Sequence, residues 1–242
     1  MTVKDSRFVI ELYKEFWVKF SNVIRSDLKG LVYPTSQEPF NFTMQGELRE
    51  GQCVKMVKPI CFRKLDCKKP TPSVDVVVEY EDKIKKIGNK IRIIESKSVV
   101  SYFFGGIEKK PISFQSIRFD YHPYEPGCMQ SGDPLFHAQF HPDDIMKDTL
   151  PEFMKKHWQY SKTVIEPQNY MHVRIPTSRM LLPDILCFIV ADHLRDKVHN
   201  LIDETRGIII KFADIIGNND FNIQKYYHYS STHKWYCKPS KS

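Results

Sequence analysis

The sequence predicts an α+β domain: an N-terminal helix, a central antiparallel sheet, and C-terminal helices packed on the sheet. Three observations predict it. Apolar residues recur at helical spacing over residues 5–29, switch to period two between about 41 and 122, and return to helical spacing after Pro183. The strand-like runs are short and close together, which suits an antiparallel meander better than βαβ units. Hydrophobic residues make up 41% of the 242 and aromatics 13%, enough to bury a sizeable core, so residues 1–242 are read as a single domain.

The first helix rests on Phe8, Leu12, Phe16, Phe20 and Val23, with Gly30 placed as its C-cap. Strands are expected at Phe42–Met44, at Val54–Phe62 and in the β-branched run Val74–Tyr80. Residues 83–89 (Lys-Ile-Lys-Lys-Ile-Gly-Asn) read as a turn with a solvated basic face, and Asn89–Phe104 as two strands or one bent strand. Ser113–His122, Leu135–His141 and Tyr170–Ile175 follow as strands, separated by a Pro/Gly-rich loop at 123–134 and a helix at 143–160. A helix opened by Pro183 is expected to run to about 204, to be broken at Gly207, and to be followed by a second helix at Ile208–Ile216. Residues 225–242 form an aromatic and basic tail.

Charge and cysteine usage bound the partners. The net charge is +7, from 36 basic and 29 acidic residues, which fits either an anionic partner such as a nucleic acid or nucleotide, or an ordinary basic surface. The six cysteines form no CxxC pair, so a zinc ribbon is not expected. Arg7, Glu11, Lys14 and Glu15 interrupt any secretory apolar core, and the apolar runs are too short to span a bilayer. The expectation is a cytoplasmic protein with reduced thiols and no membrane contact.

Chemistry concentrates in three strands. Alternation puts Ile117, Phe119, Tyr121, Phe136, Ala138, Phe140, Met171, Val173 and Ile175 on an apolar face. The other face carries Arg118, Asp120, His122, His137, Gln139, His141, His172 and Arg174. Strand faces turned to solvent are usually rich in Thr, Lys, Glu and Ser. This one holds groups that move protons near neutral pH and bind phosphate. A hairpin register with paired numbers summing to 259 would set His122 opposite His137, Asp120 opposite Gln139 and Arg118 opposite His141.

His137 and His141 lie about 13 Å apart along one strand and cannot share an ion without a bulge. Asp120 and His122 with a cross-strand His137 or His172 would make a two-His-one-carboxylate set, so a divalent metal is one option. The metal-free option fits equally: Asp120, His122, His137 and His172 exchange protons while Arg118, Arg174 and Arg179 hold a phosphate. The bland alternative is a satisfied polar network covered by helices.

Arg195–His199 resembles the Arg/His motif of HEPN ribonucleases with one residue too few, and a solvated helix face accounts for it. Cys128 has no placed catalytic partner. No P-loop, GxGxxG, HExxH or GxSxG occurs.

The strand Arg118-Phe-Asp-Tyr-His-Pro123, the His-rich strand after it, and Arg174-Ile-Pro-Thr-Ser-Arg179 before an apolar helix resemble an uncharacterised bacterial domain-of-unknown-function family. The resemblance covers about residues 114–200. His137-Ala-Gln139 departs from the His-x-His of that family. The family has no established activity, and the resemblance implies a setting among restriction, toxin or phage-defence genes. The leading expectation is therefore a nuclease-like enzyme acting on a phosphodiester or nucleotide. The alternative is a non-catalytic subunit that docks a protein or nucleic acid within a complex, using the tail for stacking and charge.

Overall fold

The computed structural model of the protein describes residues 7–25, 30–33, 40–65, 74–104, 113–121, 136–140, 174–176, 180–194 and 198–216. In chain order the elements are α1 (Arg7–Ile24), β1 (Gly30–Tyr33), β2 (Phe42–Gln45), β3 (Gln52–Met56), β4 (Ile60–Leu65), β5 (Val74–Ile87), β6 (Lys90–Phe104), β7 (Ser113–Tyr121), β8 (Phe136–Phe140), β9 (Arg174–Pro176), α2 (Leu182–His193) and α3 (Val198–Ile216). The architecture is the expected α+β one. All nine described strands belong to one sheet, and every pairing is antiparallel.

The sheet grows from one hairpin. β5 and β6 pair along their whole length, from Val74↔Phe104 to Ile87↔Lys90. The β-branched run that starts β5 favours an extended backbone. Gly88, at φ +59°, lets the Gly88-Asn89 connection close in two residues. One bulge interrupts the ladder: Lys83 faces Glu95 and Ile84 faces Ile93, leaving Ile94 as the extra residue. The basic stretch at 83–89 is therefore mostly strand, and the expected turn shrinks to two residues. Lys90–Phe104 is one continuous strand.

On its other edge β5 carries two strands end to end. Gln52–Lys55 of β3 pairs with Ile84–Glu81, and Ile60–Leu65 of β4 pairs with Val78–Val74. The single strand expected at Val54–Phe62 is thus broken. Val57, Lys58 and Pro59 leave the ladder, and Pro59 has no N–H to donate to it. β2 pairs with β3 and β1 with β4, so each half of the broken strand has its own outer neighbour. On the β6 side the order continues through β7, β8 and β9.

The helices pack on one face. Val74, Val76, Val78, Tyr80 and Ile84 of β5 and Val100 and Tyr102 of β6 turn towards them, with Phe119 and Ala138 further along. Phe16 and Phe20 of α1 are fully buried, and Phe20 meets Phe62 with ring centroids 6.1 Å apart. Tyr13 meets Phe212 of α3 in a tilted arrangement at 4.8 Å, and Phe188 of α2 meets Phe119 edge-on at 6.4 Å. At the start of α2 the Leu181 N–H donates to the Asp184 carboxylate at 3.0 Å, which satisfies one of the free amides of the first turn.

Two helix boundaries differ from expectation. Gly30 opens β1 opposite Arg63 rather than capping α1. The break between the C-terminal helices follows Leu194, and α3 runs straight through Gly207. Gly207 is exposed with nothing near its absent side chain, so it costs the helix about 1 kcal/mol against alanine without ending it. The elements expected at 123–134, 143–160, Tyr170–Val173 and 225–242 lie outside the described residues. None of the described helices is long and apolar enough to cross a membrane.

Replacing Phe20 with alanine should cost about 3–5 kcal/mol in urea unfolding, because it empties a closed aromatic site. Replacing Val18, which is 57% exposed on the same helix, should stay within about 0.5 kcal/mol.

Candidate functional site

The expected polar face exists, in a different register. β7 and β8 pair as Arg118↔Gln139 and Asp120↔His137, two residues away from the expected alignment. A shift of two preserves which face each residue occupies and changes who stands opposite whom. The expected pairs Asp120↔Gln139 and Arg118↔His141 are therefore incorrect. The pairs Ile117↔Phe140, Phe119↔Ala138 and Tyr121↔Phe136 alternate with the observed polar pairs along the same ladder.

The ladder then continues across the sheet in two rows. One row reads Glu81, Lys97, Asp120, His137 and Pro176; its neighbour reads Glu79, Val99, Arg118, Gln139 and Arg174. Arg118, Asp120, His137 and Arg174 thus share one face within three adjacent strands. His122, His141, His172 and Arg179 lie outside the described residues, as does Cys128.

Asp120 is closed off from solvent. Its side chain is 3% exposed and accepts a hydrogen bond from Arg118 Nε at 2.8 Å. The Arg118 side chain is itself 21% exposed. Opposite charges in directly facing positions, as in Glu81–Lys97–Asp120, stabilise a sheet by a few tenths to about 1 kcal/mol per pair. One row further, Ser101 and Ser116 bond through their hydroxyls at 2.7 Å. The described part of this face behaves as a satisfied polar ladder.

No group of three or more His, Cys, Asp or Glu residues among the described ones is placed to hold a metal ion. Cys53, Cys61 and Cys187 are thiols rather than disulfides, and the Cys61 thiol donates to the Pro59 carbonyl at 3.7 Å. Burial pushes all three up in pKa, Cys53 to about 11 and Cys187 to about 12, with Glu81 and Asp184 respectively adding to the effect. They stay protonated at neutral pH and are poor nucleophiles.

A second polar cluster was not foreseen. On the helix face the Tyr13 hydroxyl donates to Asp82 and lies 3.1 Å from the Tyr80 hydroxyl, while Ser96 Oγ donates to Tyr80 at 3.0 Å. Asp82 is fully buried, and its Oδ1 has no partner. Burial pushes the Asp82 carboxyl up to about 7, against the pull of the hydroxyls that bond it. The signal was present in the alternation: Val76, Val78, Tyr80, Asp82 and Ile84 share one parity, so a carboxylate had to fall on the core side.

Comparison with protein-family models, with curated proteins and with solved structures gives no match.

Two outcomes follow for stability. Asp120→Ala should destabilise by about 1–3 kcal/mol in denaturant melts, since it strips the partly buried Arg118 of a charged acceptor, and Asp120→Asn should recover much of that loss. Asp82 binds its proton more tightly in the folded protein than its ordinary value of 3.8, so its contribution is greatest below that value and is lost as pH rises through about 7. Thermal melts across that range should fall with pH for the wild type and flatten for Asp82→Asn.

Proposed function

We propose that this chain is a non-catalytic binding subunit for an anionic partner. The observation that carries this reading is the burial of Asp120 against Arg118. The carboxylate most central to the expected acid–base cluster is engaged within the fold, and the guanidinium expected to hold phosphate is engaged with it. A base that works on substrate has to reach the proton it removes, and a phosphate-binding arginine has to face its ligand. The basic excess of the sequence supports a partner of negative charge.

One observation favours a second reading, a phosphodiester- or nucleotide-acting enzyme of the nuclease-like toxin or defence type. Asp120 and His137 stand directly opposite in the ladder, with Arg118 and Arg174 in the adjoining row. In that reading Asp120, His122, His137 and His172 carry acid–base or metal chemistry, and Arg118, Arg174 and Arg179 hold the phosphate. A divalent metal then serves as cofactor, or none is used.

Incubating the purified protein with labelled RNA, single-stranded DNA and duplex DNA, each with Mn²⁺, Mg²⁺ or EDTA, separates the two. The binding-subunit reading expects no cleavage in any lane. Cleavage that His137→Ala/His172→Ala abolishes would overturn it, and the EDTA lanes would then assign the role of metal.

A further inference from the structure

α3 is buried along one stripe and open along another. Leu201, Thr205, Ile208 and Phe212 recur at helical spacing and are buried. A second side belongs to α1: Lys211 pairs with Glu15 at 3.4 Å, and Lys19 donates to the Glu204 carbonyl at 3.1 Å. Roughly opposite the buried stripe stand His199, Asp203, Arg206 and Ile210, all exposed. Their spacing of four, three and four residues is that of a coiled-coil seam. Ile202 and Ile209 flank this seam on the side away from α1. Ile202 is 45% and Ile210 55% exposed, while Ile209 is partly buried.

The described fold leaves this face unused. Ile202 and Ile210 meet solvent where a surface helix ordinarily carries polar residues. Asp203 and Arg206, opposite charges one turn apart, form no ion pair or hydrogen bond with each other or with another described residue. Gly207 lies beside the seam with nothing near its absent side chain, so a neighbouring helix can approach closely there.

We propose that two copies of this chain meet on this face, α3 against α3, antiparallel across a two-fold axis. In one register the face complements itself. Asp203 stands opposite Arg206 of the second copy and Ile210 opposite its His199, each twice by symmetry. Ile202 and Ile209 of the two copies then meet along one flank. A parallel pairing would set Asp203 against Asp203 and Arg206 against Arg206, so charge selects the antiparallel one. An unrelated partner would need matching charges of its own, whereas a second copy carries them already. A seam of about three turns on one helix buries well under the roughly 800 Å² per partner of a standard stable interface, so the dimer is weak, half assembled at roughly 10–100 µM. The pairing is independent of the binding-subunit reading, to which it would add a second equivalent site per particle.

Sedimentation velocity of the full chain, over a concentration series from about 1 to about 300 µM that brackets the expected midpoint, tests this. The wild type should pass from monomer to dimer. Asp203→Arg sets Arg against Arg, and Arg206→Asp sets Asp against Asp, so each should weaken the dimer at least about tenfold. The double variant Asp203→Arg/Arg206→Asp exchanges the charges in place and should restore the dimer. Ile210→Glu, which puts a charge into the seam, should leave a monomer throughout. All of these side chains are exposed, so melting temperatures close to the wild type should confirm that each variant is folded. If a charge variant loses its fold, Ile210→Glu decides alone. A wild type that stays monomeric at every concentration overturns the proposal. So does a dimer that the single substitutions leave intact, or one that the double variant fails to restore. Assembly beyond the dimer overturns it as well, because a closed two-fold contact uses up the face.

Discussion

The β5–β6 ladder is the constraint on which the other elements depend. It is the longest pairing in the sheet, and each arm serves a different half of the molecule. β5 lends its outer edge to two short strands in turn, and β6 lends its outer edge to β7 and so to β8 and β9. Its helix-side residues also set the floor of the core. A slip of one residue in this hairpin would turn Val74, Val76, Val78 and Ile84 away from the helices and bring Asp75, Glu79 and Glu81 under them. The close Gly88-Asn89 turn and the single bulge at Ile94 fix the register against such a slip.

The two faces of the sheet have different characters. The helix side is aromatic and aliphatic except for Ser98 and the Tyr13–Tyr80–Asp82–Ser96 cluster, which ties α1 to β5 and β6 through hydrogen bonds in a dry setting. The far side mixes polar and apolar residues, and Asp75, Glu79, Ser101, Ser116 and Asp120 on it are buried beside Cys61, Val77, Val99 and Phe103. Buried carboxylates persist when paired or bonded, as Asp120 is by Arg118. Burial of charged residues on both faces makes the register costly to change.

The parity of the strands was legible in the sequence, and their pairing was not. Alternation assigned Phe119 and Ala138 to the core face and Arg118 and Asp120 to the other, because period-two patterning follows from backbone geometry alone. The register went wrong by two because any even shift satisfies the same pattern, and the prolines at 123 and 142 do not distinguish the choices. The break in Val54–Phe62 could have been read from Pro59, whereas the short strand at Gly30–Tyr33 has too few residues to show a period. Gly207 was given the weight of a helix breaker, although an exposed glycine inside a long amphipathic helix is tolerated. In the polar cluster, residue type was readable and burial was not. Arg118 and Asp120 look equally available in sequence whether they face a substrate or each other.

The central claim is that Arg118 and Asp120 serve the fold rather than a reaction. A double-mutant cycle with Arg118→Ala, Asp120→Ala and the combined variant, followed by denaturant unfolding, tests it most directly. The account predicts a favourable coupling of about 1 kcal/mol or more. Additive effects on stability, together with a nuclease activity that both single variants lose, would contradict it.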